Sequence, residues 1–164
     1  MLQHQELATL FSNMKLTDNG IRLIQEFEGL RLTSYLCSAG VPTIGYGATY
    51  YADGSKVKLG QTITRDQADQ LLKDHLKEFE GSVLGLLNTT KVNQNQFDAL
   101  VSFCFNLGAG NLAKSQLLRF VKANPKDPKI AAEFAKWNRA GGEVSRGLVR
   151  RRKKEAELYF AAVV

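Results

Sequence analysis

Glu28, Cys37 and Thr43 stand nine and six residues apart in a chain of 164 residues, and their types suit the cleavage of a bond by water. A carboxylic acid can protonate a leaving oxygen, a second group can activate water or attack the opposite face, and a hydroxyl can hold that water in place. Glu28 fits the first role and Thr43 the last. Cys37 is the unusual member, because an unperturbed thiol has a pKa of about 8.5 and is only a few per cent thiolate at neutral pH. It acts as base or nucleophile only if its surroundings lower that pKa, although neutral sulfur can still help to place a water. The alternative for Cys37 is a passive loop cysteine, for Glu28 a surface residue at a helix end, and for Thr43 a good strand former.

The elements around these residues must hold them. Thr17 is placed to cap a helix in which Ile21, Ile24 and Phe27 form one apolar stripe. Gly29 suits the position just past that helix, so Glu28 falls in its last turn. Arg31 to Tyr35, Val41 to Tyr46 and Lys56 to Leu59 are short, rich in β-branched and aromatic residues, and divided by Ser38-Ala39-Gly40 and Asp53-Gly54. They predict a small three-stranded antiparallel sheet. The glycines of Pro42-Thr43-Ile44-Gly45-Tyr46-Gly47 let the backbone approach a neighbour or a ligand closely.

After Leu59 the pattern becomes helical. Thr64-Arg65-Asp66-Gln67 is a capping box, and Ala68, Leu71, Leu72, Leu76, Phe79, Val83 and Leu86 follow at helical spacing, predicting a long helix over 66–87. Further helices are expected over 93–108, 112–123, 129–138 and 146–161, separated by Gly108-Ala109-Gly110, Asn124-Pro125 and Gly141-Gly142. Leu2, Leu7, Leu10, Phe11 and Met14 predict a leading helix over 1–14. The expected organisation is one domain: this leading helix, a β-containing lobe over 15–65, the connecting helix, and a helical lobe over 88–164.

With 44% apolar and 23% charged residues, the composition is that of a soluble globular domain. No apolar run approaches the ~20 residues needed to span a bilayer, and the first twenty residues lack the basic start and apolar segment of a signal peptide. The net charge is +6, and Arg146 to Lys154 alone carries six cations without an acid. Such a patch attracts nucleic acid, anionic lipid or an acidic wall polymer, or merely solvates a helix. The patch lacks a groove-reading element or aromatics interleaved to stack on bases, which argues against nucleic acid. Cys37 and Cys104 can form one bridge at most and match no metal motif; Cys104, between Phe103 and Phe105, reads as a core residue.

Taken in order, Glu28-Gly29-Leu30-Arg31-Leu32, Thr43-Ile44-Gly45-Tyr46-Gly47, Asn95-Gln96-Phe97-Asp98-Ala99-Leu100, Phe105-Asn106-Leu107-Gly108, Trp137-Asn138 and Gly147-Leu148-Val149-Arg150-Arg151-Arg152 resemble the phage-type lysozymes of glycoside hydrolase family 24 from about Lys15 to Tyr159. The resemblance implies an α+β, mainly helical, lysozyme-like fold: a small β-containing N-terminal lobe and a larger helical C-terminal lobe joined by a long helix, with a sugar-binding cleft. It implies an endolysin that hydrolyses the β-1,4 bond between N-acetylmuramic acid and N-acetylglucosamine in bacterial peptidoglycan. Glu28 matches the family's acid, Thr43 its water-holding residue, and Cys37 the position where most members carry Asp. Phe105 and Ser115 match substrate-binding positions. The family's usual outcome is inversion, whereas a thiolate nucleophile would give retention. The resemblance further implies a monomer without metal or organic cofactor, without nucleic-acid partner or stable membrane insertion. It would be made in the host cytoplasm and reach the wall through a separate holin. The competing reading keeps the fold but not the chemistry: a glycan-binding module in which Cys37 marks a decayed site and Tyr46, Tyr50, Tyr51 and Phe105 stack on sugars.

Overall fold

The computed structural model describes residues 13–163, so the leading helix expected over 1–14 lies outside the described residues. The chain forms two compact units, Ile24–Glu78 and the remainder. The boundary between Glu78 and Phe79 falls inside the long helix predicted from sequence, which runs from Arg65 to Leu87.

In the first unit, helix α1 (Asp18–Glu28) contributes its last turns. Strand β1 (Arg31–Leu36) pairs antiparallel with β2 (Pro42–Gly45) in the register Arg31↔Gly45, Tyr35↔Thr43 and Leu36↔Pro42. The long helix, α2 (Arg65–Leu87), opens on the expected capping box: Thr64 N–H donates to Gln67 Oε1 at 2.9 Å and Gln67 N–H to Thr64 Oγ1 at 3.1 Å. Ile44, Ala48, Val57 and Leu71 form the buried cluster here, with Tyr51 and Ile63 packed on it.

The third strand expected over Lys56–Leu59 does not form. Pairing there is confined to a Tyr50↔Lys56 bridge and a Val57 N–H···O Thr49 bond of 3.0 Å. Beyond Val57 the chain turns at Leu59-Gly60, with Gly60 at φ +85°, and Lys58 N–H, which faces away from Thr49, donates to Gln61 Oε1 at 2.9 Å.

His75, on α2, lies with its ring centroid 4.4 Å from that of Tyr50, and its Nε2 is buried without a hydrogen-bond partner. Burial pushes its pKa below 6.5, against the raising influence of the Tyr50 backbone and of Asp74 and Glu78. The folded state therefore favours the neutral imidazole. A histidine with a depressed folded pKa contributes stability that is complete above its unfolded pKa and is lost as pH falls through the folded value. His75→Phe is expected to reduce the drop in melting temperature between pH 7 and pH 5; an identical drop in both proteins would contradict this.

In the second unit, α3 (Gln94–Leu107) is the central helix: Phe97, Ala99, Leu100, Val101, Phe103 and Cys104 are fully buried. Asn93 and Gln96 form a capping box at its start. The helix expected over 112–123 is two, α4 (Ala109–Lys114) and α5 (Gln116–Ala123), because Ser115 leaves the helical conformation to cap α5. Helix α6 (Ile130–Ala135) and helix α7 (Arg146–Phe160) complete the unit, α7 packing on both α3 and α6. Phe103 meets Phe134 and Trp137 edge to face at centroid distances of 5.9 and 5.6 Å. A two-residue hairpin, β3 (Arg139–Ala140) with β4 (Glu143–Val144), turns over Gly141-Gly142, both at positive φ as a type I′ turn requires.

Helix α7 corrects the reading of the basic segment. Arg151 and Arg152 are 3% and 1% exposed and close on the fully buried Glu155, with Arg152 Nε 2.7 Å from Glu155 Oε1 and Arg151 Nε 3.4 Å from Oε2. Ser102 Oγ donates to Glu155 Oε2 at 2.6 Å, and Arg152 Nη2 to Asn106 Oδ1 at 2.8 Å. The surface patch is thus Arg146, Arg150, Lys153 and Lys154. At the other end of α3, Asp98 is also fully buried, and it receives the Thr17 N–H at 3.3 Å and the Thr17 hydroxyl. Thr17 therefore directs its hydroxyl to α3, while its carbonyl accepts the Ile21 N–H of α1 at 3.1 Å. A Cβ on Gly20 would sit 2.9 Å from Asp98 Cβ and 2.3 Å from Leu16 Cδ2, so this close approach requires glycine.

Candidate active site

Glu28, Cys37 and Thr43 all belong to the Ile24–Glu78 unit. Helix α1 buries Ile24 and stops at Glu28, where Gly29 adopts φ +69° and its N–H bonds Gln25 O at 3.2 Å. Glu28 is consequently the last helical residue, half-buried, as the glycine after it led one to expect. Its carboxylate reaches the glycine-rich loop: a Cβ built on Gly47 would lie 3.7 Å from Glu28 Oε2. Gly47 has φ +89°, so glycine gives both the backbone its conformation and the acid an uncluttered neighbour.

Cys37 begins the turn between β1 and β2. Its N–H donates to Val41 O at 3.0 Å and its carbonyl accepts from Gly40 N–H at 2.8 Å, with Gly40 at φ +75°. This is a three-residue hairpin loop with its glycine in the left-handed region. The fold of the loop turns the amides of Val41 and Ala39 toward the sulfur. Those two hydrogen bonds, Val41 first, together with the Thr43 side chain, outweigh desolvation and lower the thiol pKa below 9.0. The direction that the sequence alone left open is downward, and it comes from backbone dipoles and not from a basic side chain.

Thr43 faces Cys37 from β2 and is 3% exposed. Its hydroxyl donates to Val41 O at 2.8 Å. With one proton and two lone pairs, the oxygen then accepts from a thiol or a water, and a rotation turns the proton toward the sulfur when that is ionised.

The loop that carries Thr43 is anchored from behind. Ile44 and Ala48 exchange two backbone bonds of 2.9 Å across Gly45-Tyr46-Gly47. Gly45, at φ +66°, lies against α2, where its Cβ would be 3.7 Å from that of Ala68. Tyr46 is 9% exposed and donates through its hydroxyl to Asp69 Oδ1 at 3.1 Å, which removes it from the set of sugar-stacking aromatics. Sequence reasoning missed Asp69, and its position directly after the core residue Ala68 was the one available signal.

Phe105 and Ser115 lie in the other unit. Phe105 is half-buried, its ring edge to face with Phe79 at 5.1 Å. Ser115 is 2% exposed, and its hydroxyl donates to Leu112 O at 2.7 Å while accepting Leu118 N–H at 3.1 Å. Its side chain is thus engaged as a helix cap. Among the described residues no group of three His, Cys, Asp or Glu side chains could hold a metal ion, and no helix is long and apolar enough to cross a membrane.

One unit with a small two-stranded sheet and one that is mainly helical are the makings of a lysozyme-like fold. The chain belongs to the phage lysozyme family, whose model matches residues 25–155. It is 45% identical over 152 residues to an endolysin of Bacillus phage B103, covering 90% of this chain and 54% of that one. To the endolysin of Salmonella phage P22 it is 40% identical, over 87% of this chain and 97% of that one. The chain thus spans about half the length of the Bacillus phage relatives it matches, and nearly all of the P22 protein. Among solved structures, an endolysin from Escherichia coli O157:H7 phage FAHEc1 superposes with a TM-score of 0.83 at 37% identity, over 92% of this chain and 96% of that one.

Proposed function

We propose that this chain is an endolysin that hydrolyses the β-1,4 bond between N-acetylmuramic acid and N-acetylglucosamine in bacterial peptidoglycan. The observation that carries the reading is the Cys37 thiol, lowered by the Val41 and Ala39 amides and paired with Thr43. Catalysis needs it there, whereas a glycan-binding module has no use for it. The endolysin names of the relatives support a substrate in the bacterial wall.

Glu28 gives its proton to the glycosidic oxygen as the bond to the anomeric carbon breaks. In the inverting course a water held by Thr43 attacks that carbon from the opposite face and passes its proton to the Cys37 thiolate. In the retaining course the sulfur attacks, a carbon–sulfur bond forms, and water later breaks it with Glu28 now acting as base. Phe105 is assigned to a glycan-contacting position of the helical unit, and Ser115, whose buried hydroxyl is taken up capping α5, to the backbone around it. The exposed cations of α7 serve encounter with acidic wall polymers. The enzyme acts as a monomer without a cofactor, and its access to the wall from the host cytoplasm is assigned to a holin.

The test is mass spectrometry of fragments released from purified peptidoglycan, with Cys37→Ala and Cys37→Asp alongside. The unmodified protein should release reducing N-acetylmuramic acid ends, and Cys37→Ala should lower the rate by ~10²-fold or more. Because the thiol titrates below 9.0, the rate should rise with pH through that ionisation, and Cys37→Asp should lose this limb. Anhydro ends would show a transglycosylase, undiminished activity in Cys37→Ala would remove Cys37 from the chemistry, and no fragments would leave a binding module.

A further inference from the structure

Two polar groups from separate segments converge on a single oxygen of helix α2. Asp69 Oδ1 accepts from Gln25 Nε2 at 3.1 Å and from the Tyr46 hydroxyl at 3.1 Å. Gln25 lies on α1 three residues before Glu28, hence nearly one turn below it on the same side of the helix. Tyr46 is the middle residue of the loop between Thr43 and Gly47, the glycine that borders Glu28. We propose that Asp69 is a positioning residue, whose carboxylate fixes the end of α1 that carries Glu28 against the loop that carries Thr43.

Gly45 packs on Ala68 through van der Waals contact, which sets distance but allows the loop to slide along α2. Gln25 lies in the turn that leads into Glu28, so its bond to Asp69 acts on α1 directly beneath the acid. A carboxylate acceptor provides directional and charge-assisted bonds to both segments from one rigid helix. Tyr46 is almost wholly covered, so water can replace the lost partner only poorly. A shift of ~1 Å in the acid relative to the water-holding residue is enough to lower a rate about 100-fold.

The proposal rests on Glu28 and Thr43 being catalytic, and the experiment separates the two. Initial rates of wall hydrolysis are measured for the unmodified protein, Asp69→Ala and Asp69→Asn, together with melting temperatures. Asp69→Ala should lower kcat by roughly 10–100-fold with KM within about threefold. Asp69→Asn keeps an acceptor oxygen in place and should restore most of the rate, although the amide is a weaker acceptor. Should Asp69→Ala fail to fold, Tyr46→Phe and Gln25→Ala each remove one donor and should each lower kcat several-fold. Their losses should not add to that of Asp69→Ala in the double variants. A kcat within twofold of the original in Asp69→Ala overturns the proposal, as does a loss that follows only the fraction folded with no recovery in Asp69→Asn. A completely inactive unmodified protein would refute the catalytic reading itself, before any variant is compared.

Discussion

Glu28→Gln is expected to lower peptidoglycan hydrolysis by ~10³-fold while leaving the melting temperature within about 2 °C of the original, which corresponds to at most about 1 kcal/mol for a domain of this size. Glutamine has the same length and leaves a polar group of the same shape beside the Gly47 loop. What it lacks is the proton for the leaving oxygen. Departure of an unprotonated sugar oxygen leaves an alkoxide, and in the proposed mechanism Cys37 and Thr43 are assigned to the water and not to that proton. Glu28→Asp makes the complementary test. It keeps the proton but withdraws it by one methylene, roughly 1 Å or more, and should fall between the two by the sensitivity of rate to placement. Turnover measured on purified walls, with circular dichroism melting on the same preparations, checks both. A Glu28→Gln protein within tenfold of the original would mean that another group protonates the leaving oxygen.

How far the sequence reveals this site depends on the range of the interactions that build it. The Glu28 position follows from Gly29, the start of α2 from Thr64 and Gln67, and the turn at Cys37 from Ser38-Ala39-Gly40, because each is settled within four or five residues. The residues that tune and hold the site are different. Asp69 is bonded to partners 23 and 44 positions away, and Tyr46 looks like a surface aromatic until its hydroxyl is seen to be used. Likewise, the lowering of the Cys37 pKa comes from main-chain amides, which every sequence possesses and none advertises. The expected third strand stops at Val57 because the chain turns at once through Leu59-Gly60, with Gly60 at φ +85°.

The basic run in α7 was the least legible feature, and it gives the largest expected change in stability. Arg151-Arg152 reads as surface charge, yet Glu155 stands at i+4 and i+3 from the pair, the spacing at which side chains of one helix meet. Burial pushes the Glu155 carboxyl toward its neutral form, and the two guanidiniums oppose this. Such a cluster is held together by its completeness. Glu155→Ala would leave two buried cations facing each other, with Ser102 Oγ losing its acceptor, at a cost of about 3–5 kcal/mol. For a domain of this length that is a fall in melting temperature on the order of 10 °C. Removing the whole cluster is a different experiment. Arg151→Met, Arg152→Met and Glu155→Leu together strand no charge and should melt near the original protein or above it, since well-packed apolar groups replace buried ion pairs at little or no cost. Asn106, which accepts from Arg152 Nη2, would be left with water as its partner and sets the main penalty of the triple variant. Thermal melting of the single and triple variants decides the point: a Glu155→Ala protein as stable as the original would show that water enters the cluster and solvates both arginines.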